Sequence, residues 1–153
     1  MTAETAPGAQ ERWIQIERRL DAPRDRVHRA WSDPDELAAW FPRQVEGSLT
    51  VGTRSTLSWH DRRIPIDVLA SDPPTLFQFR WSWPTGDDYQ TTVTVKFEPQ
   101  GYGTLVSLQD GPFDLARPGV IDAWAEGLEG WGDALANLRA QVDYSVDLRQ
   151  RRR

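Results

Sequence analysis

The chain has 153 residues, of which 18 are basic and 23 acidic, so its formal net charge is −5. This length suits a single domain, and no apolar run approaches the ~20 residues that a membrane-spanning helix needs. The absence of cysteine excludes disulfides, thiolate metal sites and a cysteine nucleophile, and the acidic balance argues against nucleic acid as a partner.

The two ends of the chain differ from its centre. Residues 1–11 lack the positive region and the apolar segment of a secretory signal, so we expect a disordered lead-in and a cytoplasmic protein. Residues 12–142 are expected to form one domain. Residues 143–153 form a basic tail, which we expect to be solvated and frayed. Four arginines lie in its last five residues: Arg149, Arg151, Arg152 and Arg153.

The first predicted elements are a strand and two short helices. Apolar and polar residues alternate over residues 13–20, which predicts a half-buried strand. Pro23 suits the first turn of a helix. A second helix begins at Asp33, the expected N-cap, with Pro34 at its first position and Glu36 in the capping-box position.

The middle of the chain has the pattern of a sheet. Residues 45–49 are a weak candidate strand, and five clearer candidates follow at 54–59, 64–70, 75–83, 90–98 and 103–110. Glycine, proline and aspartate occupy the short breaks between them. Successive strands with such breaks favour an antiparallel meander.

A long helix closes the predicted order. Apolar residues recur at steps of three or four from Val120 to Val142, which predicts an amphipathic helix with one apolar stripe. Gly127, Gly130 and Gly132 lie inside it, and each costs ~1 kcal/mol relative to alanine. We interpret these glycines as room for close approach of the sheet, or for a bend.

This order of elements resembles the START-like (SRPBCC, helix-grip) superfamily, and within it the activator of heat-shock-protein-90 ATPase homologue family. The likeness covers roughly residues 12–142. The stretches that carry it are Ala22-Pro23 with Val27 and Trp31, Asp33-Pro34 with Trp40, Asp72-Pro73-Pro74 leading to Trp81, Gly103-Thr104 followed by Val106 and Leu108, Phe113, and Gly130-Trp131 with Leu135 and Leu138.

The resemblance implies an α+β fold in which a curved antiparallel sheet of six to seven strands wraps a long C-terminal helix. Two short helices follow the first strand, and a cavity lies between the sheet and the long helix. Members of the superfamily bind lipids, hormones or polyketides, act as aromatases and cyclases, or work as co-chaperones. The family has no universal catalytic residue.

This chain departs from many relatives near the end of its last strand. They have a histidine shortly before a Gly-Phe pair, whereas this chain has Asp110, and Pro112 replaces the glycine that precedes Phe113. A role of that histidine therefore does not transfer to this chain.

The polar candidates for catalysis are few. His28 is expected on the solvated side of the first helix, and His60 in a turn between strands. The pair Asp87-Asp88 is expected to be solvated in a Pro/Gly turn. Two distant histidines without a carboxylate at ligand spacing predict no metal site, and we expect no cofactor.

Eight tryptophans exceed what a compact core of this size needs, which suggests that some of them line a hollow. Asp110 is in phase with Val106 and Leu108, so it is expected to point inward, with a raised pKa or with Arg18 as its partner. The predicted cavity residues are Trp40, Phe79, Trp81, Trp83, Val95, Asp110, Phe113, Trp124, Leu128 and Trp131. The alternative, that the rings simply fill the core, stays open.

The leading hypothesis is that the protein binds a small apolar or aromatic molecule in an internal cavity. One alternative is a chaperone-associated, stress-response interaction module. Another is a cofactor-free cyclase or hydrolase whose acid or base is Asp110 or His60. The sequence leaves open whether the protein is a monomer or a homodimer.

Overall fold

The computed structural model of the protein describes residues 10–83 and 89–151. In this part of the chain an antiparallel sheet of seven strands runs in the order β1-β7-β6-β5-β4-β3-β2. The strands are β1 Glu11–Leu20, β2 Gln44–Glu46, β3 Arg54–Ser58, β4 Arg63–Asp72, β5 Leu76–Trp83, β6 Tyr89–Gln100 and β7 Gly103–Asp114. The helices are α1 Arg24–Ser32, α2 Pro34–Ala38 and α3 Val120–Tyr144, and a 3-10 turn spans Leu148–Arg151.

This architecture confirms the predicted helix-grip fold, with a curved sheet, a long C-terminal helix and two short helices after the first strand. The weak strand candidate near residue 45 is present as β2. The last strand continues past its predicted end at Asp110, because β1 pairs with it as far as Asp114. A register shift between Arg12 and Ile14 of β1 accommodates this extension.

The junction of α1 and α2 is capped as predicted on one side only. The Asp33 carboxylate accepts the backbone N–H groups of Asp35 and Glu36, at 3.0 and 3.1 Å. Glu36 does not return the bond, because the N–H of Asp33 already donates to the carbonyl of Arg29 at the end of α1. The Glu36 carboxylate instead pairs with Arg29, and with Arg26 at 2.6 Å.

Helix α3 approaches the sheet most closely at Gly127. A Cβ added there would lie 2.8 Å from Ile14 Cδ1 and 3.0 Å from the Trp83 ring, so close approach accounts for this glycine. A Cβ at Gly130 or Gly132 would meet nothing within 4 Å. The buried stripe of α3 consists of Val120, Ala123, Gly127, Trp131, Ala134, Leu135 and Leu138.

His28 is buried, so the expectation that it faces solvent is wrong. Its side is covered because α1 packs on β5 and β6 as well as on α3. Nε2 donates to the carbonyl of Leu76 at 3.0 Å, and Nδ1 accepts from the Ser32 hydroxyl at 3.2 Å. The rings of Phe77 and Phe97 meet the imidazole edge-on. Burial lowers the pKa of His28, which favours its neutral form.

The segment after α3 also departs from the expected solvated tail. Arg149 is partly buried, and its guanidinium donates to the carbonyls of Ala38 and Pro42, at 3.0 and 2.7 Å. It also pairs with Asp147 at 2.9 Å. Ala38 is the last residue of α2 and Pro42 lies just beyond it, so this arginine satisfies carbonyls at and after the helix end and holds the C-terminal segment there. Residues 152 and 153 lie outside the described part of the chain.

Among the helices that the structure describes, none has the length and apolar character to span a membrane.

Candidate ligand cavity

A half-open cavity of about 310 Å³ lies between α3 and the half of the sheet that carries β3, β4 and β5. This volume is at the lower end of the ~300–1,000 Å³ typical of small-molecule sites. Its apolar lining consists of Phe41, Trp59, Ile64, Trp81, Trp83 and Trp131. Its remaining lining consists of Asp61, Arg62, Ser82, Glu126, Gly127 and Gly130. The surface is therefore mainly aromatic, with a few charged groups among the rings.

Strand β5 supplies two of the rings because side chains alternate across a sheet. Trp81 and Trp83 follow Phe77 and Phe79 on the same inner face, where the two phenylalanines are sealed in the core. The Trp81 and Trp83 rings lie 5.4 Å apart in an edge-to-face arrangement. The end of β5 thus turns the apolar face of the sheet into a cavity wall.

Trp131 of α3 is the central ring of this wall. It stacks on Phe41 with the ring centres 5.2 Å apart, and it lies 5.3 Å from Trp81. Trp59, which follows β3, meets Phe41 edge-on at 5.1 Å. Sequence reasoning missed Phe41 and Trp59 as cavity residues, although both are large rings at the ends of predicted elements: Trp59 is the last residue of the predicted strand 54–59, and Phe41 precedes Pro42 at the end of the second predicted helix.

The backbone carbonyl of Phe41 contacts both Trp59 and the C-terminal segment. Its carbonyl accepts the indole N–H of Trp59 at 3.1 Å, and the Arg149 guanidinium lies 3.4 Å from the same oxygen. The C-terminal segment therefore supports the residue that forms one side of the cavity.

Asp110 is fully buried and lies behind the cavity wall. Its Oδ2 accepts the indole N–H of Trp131 at 2.9 Å, and its Oδ1 accepts the Thr91 hydroxyl at 2.6 Å. Thr91 in turn accepts the indole N–H of Trp83 at 2.8 Å. The N–H of Trp81 also favours the charged form of Asp110. Among the described residues, however, no acceptor lies in hydrogen-bond geometry with this N–H.

Burial raises the pKa of Asp110 to about 6, against the opposing effect of the three donors around it. The proposed pairing with Arg18 is wrong, because the register of β1 and β7 places Ile14 opposite Asp110 and Arg18 opposite Val106. Arg18 is exposed, and its guanidinium donates to the carbonyl of Glu17.

The structure brings three of the predicted cavity residues together: Trp81, Trp83 and Trp131. Four others lie buried in the core away from the cavity lining: Trp40, Phe79, Val95 and Phe113. Leu128 is 38% exposed and Trp124 is half-buried, and neither lines the cavity. The stripe of α3 that faces the sheet passes through Ala123 and Gly127, which turns Trp124 and Leu128 aside.

The polar candidates do not converge on the cavity. His60 is exposed in the turn between β3 and β4, as expected, and its neighbours Asp61 and Arg62 line the cavity instead. Asp87 and Asp88 lie outside the described residues. No group of three or more histidine, aspartate or glutamate side chains in the described part of the chain could hold a metal ion.

The sheet, the closing helix and the aromatic cavity between them define a helix-grip domain with a hollow of ligand size. The family of Activator of Hsp90 ATPase homolog 1-like proteins matches residues 21–143. This match covers more than half of the chain, and the chain belongs to this family.

Several solved structures are similar to the chain. Protein MLL2253 from Mesorhizobium loti is 23% identical, with a TM-score of 0.78 over 88% of this chain and 99% of that chain. The Aha1 dimer from Colwellia psychrerythraea is 15% identical, with a TM-score of 0.77 over 87% and 97%. DynU16, a protein of the dynemicin biosynthetic locus, is 25% identical, with a TM-score of 0.75 over 87% of this chain and 48% of that chain. No curated protein matches the chain.

Proposed function

We propose that the protein binds a small planar aromatic molecule in the cavity between β3–β5 and α3. The observation that carries this proposal is the half-open space of about 310 Å³ walled by five aromatic rings: Phe41, Trp59, Trp81, Trp83 and Trp131. Offset-stacked and edge-to-face ring pairs each contribute about 0.5–1.5 kcal/mol beyond area burial. A planar molecule of about two or three fused rings would gain several such contacts at once.

The charged lining residues indicate that the molecule carries a polar substituent. Asp61, Arg62 and Glu126 offer both acceptors and donors beside the rings. Small-molecule sites commonly combine apolar walls with a few polar groups that fix orientation. A hydroxyl group can donate to either carboxylate or accept from the guanidinium. An aromatic alcohol therefore fits this lining better than a plain hydrocarbon.

One similar structure supports a role with small molecules. DynU16 belongs to a biosynthetic locus, and this chain is 25% identical to it. The presence of a similar protein in a biosynthetic locus is consistent with a metabolite as the ligand of this chain.

The direct test is isothermal titration of the protein with phenol, 2-naphthol and a three-ring aromatic alcohol. We expect saturable binding with one site, strongest for two or three rings. Gly130→Leu should abolish it, because Gly130 lines the cavity and a Cβ there meets open space.

Gly132→Leu is the matched control, since Gly132 lies on the same helix, also meets open space and does not line the cavity. No binding by the wild type, or equal binding by the two variants, would contradict the proposal.

A second candidate is the chaperone-associated interaction module. Ile121 is 54% exposed and Leu128 is 38% exposed, seven residues apart on the outer side of α3. Contiguous exposed apolar patches mark interaction sites, whereas single exposed apolar residues are common on any surface, so this role has less support than the cavity. Direct binding to a purified Hsp90-type chaperone, lost in the Ile121→Glu/Leu128→Glu double variant, would favour this role. Unchanged binding by that variant would exclude this surface.

The enzyme alternative has less support from the geometry. Asp110 does not reach the cavity lining, and His60 points to solvent. A general acid or base needs a reacting proton within ~2.6–3.2 Å.

A further inference from the structure

Two of the cavity-facing indoles share one hidden acceptor. Trp131 donates directly to the Asp110 carboxylate, and Trp83 donates to Thr91, whose hydroxyl donates to the other oxygen of the same carboxylate. An indole has a single N–H group, so a strong acceptor at a fixed place determines the plane of the ring. One buried carboxylate therefore orients two rings that a ligand would touch.

We propose that Asp110 is a positioning residue of the ligand cavity, whose carboxylate holds the Trp83 and Trp131 rings in the orientation that keeps the cavity open to a planar molecule. This inference rests on the proposed function and adds to it the residue that controls the shape of the site.

The packing around the two rings shows where they would move if released. Trp131 has Trp81, Phe41 and Trp31 around it, at ring-centre distances of 5.3, 5.2 and 6.1 Å. Trp83 meets Trp81 and Phe113, each at 5.4 Å. Trp31 and Phe113 belong to the buried core, whereas Trp81 and Phe41 line the cavity together with the two rings. Because the core side is filled, a ring that loses its acceptor should turn toward the cavity, where the ligand would lie.

The charge on Asp110 matters because two donors hydrogen-bond to it, one at each oxygen. A carboxylate accepts on both oxygens, whereas a carboxylic acid or an amide keeps one accepting oxygen and places a donor at the other position. Thr91 and Trp131 need both oxygens at once. Protonation of Asp110 and the substitution Asp110→Asn should therefore loosen the same pair of rings.

The side chains that face Asp110 from the surrounding elements are neutral, so no neighbouring charge complicates its titration. They are Ile14 from β1, Trp81 from β5, Thr91 and Val93 from β6, and Trp131 from α3. The charged residues of the cavity lining are not among the groups that shift its pKa: Asp61, Arg62 and Glu126.

The test is the affinity for 2-naphthol, measured by calorimetry from about pH 5 to about pH 8. Loss of one ordering hydrogen bond, about 1 kcal/mol, corresponds to a roughly fivefold change in affinity. We expect the wild type to bind roughly fivefold more tightly at the upper pH than at the lower. Asp110→Asn should show the weaker affinity throughout. Glu129→Gln, which removes an exposed carboxylate of α3 outside the cavity lining, should keep the wild-type affinity and pH profile.

The possible failures are distinct. If the wild type does not bind 2-naphthol, the proposed function is overturned. If it binds, and Gly130→Leu abolishes that binding, but affinity does not depend on pH or Asp110→Asn retains the dependence, only the positioning role is overturned.

Thr91 provides a second test that keeps the buried acid in place. Thr91→Val removes the link between Asp110 and Trp83, so we expect weaker 2-naphthol binding and a changed near-ultraviolet circular dichroism of the indoles. Thr91→Ser keeps the hydroxyl and should restore both. Wild-type affinity and spectrum in Thr91→Val would overturn the link to Trp83.

Discussion

Two buried ionisable side chains lie in different regions of the core, and their surroundings give them different consequences. His28 is enclosed by α1 and by the rings of Phe77 and Phe97. Asp110 lies behind indoles that face an open cavity. Burial lowers the pKa of His28 and raises the pKa of Asp110 to about 6, so both groups are driven toward their neutral forms. Neutralisation of His28, which is enclosed by the core, affects stability alone. Neutralisation of Asp110 also affects the indoles that would contact a ligand.

The largest expected effect comes from removing the buried His28 side chain. His28→Ala removes a ring from between two phenylalanines and leaves the Leu76 carbonyl without its donor, so we expect a loss of about 4 kcal/mol in the free energy of unfolding. His60→Ala is the matched control, because His60 is exposed, and should change stability by less than about 0.5 kcal/mol. Chemical denaturation measures both.

The pH dependence of stability that His28 causes has a definite sign. Because the folded-state pKa of His28 lies below its ordinary value of 6.5, stability is lost as the pH falls below about 6.5. This loss should be absent from His28→Ala and present in His60→Ala. The same slope in both variants would rule out His28 as its source.

Asp110 should give the opposite pH dependence. Its folded-state pKa of about 6 exceeds the ordinary value of 3.8, so the stability it contributes is full below the lower value and is lost as the pH rises through the higher one. Two pKa units correspond to about 3 kcal/mol. Asp110→Asn does not titrate, so its stability relative to the wild type should rise by about this amount from about pH 4 to about pH 7. Denaturation curves that stay parallel across this range would contradict the buried position of the acid.

The C-terminal segment tests whether the cavity depends on support from outside it. Arg149→Ala removes charge-assisted bonds to the carbonyls of Ala38 and Pro42, so we expect a loss of about 2 kcal/mol. The fluorescence of Trp59 should also change, because its indole shares the Phe41 carbonyl with Arg149. Arg139→Ala, at an exposed position of α3, is the control and should alter neither. If Arg149→Ala kept the wild-type free energy of unfolding, the C-terminal segment would have to be held by other contacts.

The smallest expected effects distinguish the three glycines of α3. Gly130→Ala and Gly132→Ala should each raise stability by about 1 kcal/mol, because both add a good helix former in open space. Gly127→Ala should lower it, because the new Cβ would lie against Ile14 and Trp83. Thermal unfolding of the three variants gives the comparison. A stabilising Gly127→Ala would show that α3 has room to move away from the sheet.

The fold could be predicted from local signals. The apolar stripe of α3, the breaks between strands and the Asp33 cap are all encoded in residues close together in the chain. The phase of β7 also predicted that Asp110 points inward. Its partner was wrong because the register between β1 and β7, which opposes Ile14 to Asp110, is set by pairing between distant parts of the chain.

The site was harder to predict because it depends on tertiary packing. Helical spacing identifies one apolar face, so it could not show that α1 buries His28 on a second side. Phe41 and Trp59 lie in connections, and only the folded chain brings their rings together beside Trp131. Arg149 acts on carbonyls more than a hundred residues away, which no local pattern could indicate.

The most direct test of the cavity is a set of indole N–H nuclear magnetic resonance spectra recorded during titration with 2-naphthol. We predict that the signals of Trp59, Trp83 and Trp131 shift and saturate together. The signals of Trp31 and Trp40, which are buried and do not line the cavity, should keep their chemical shifts. Signals that do not move, or shifts of equal size in both groups, would contradict a ligand site between the sheet and α3.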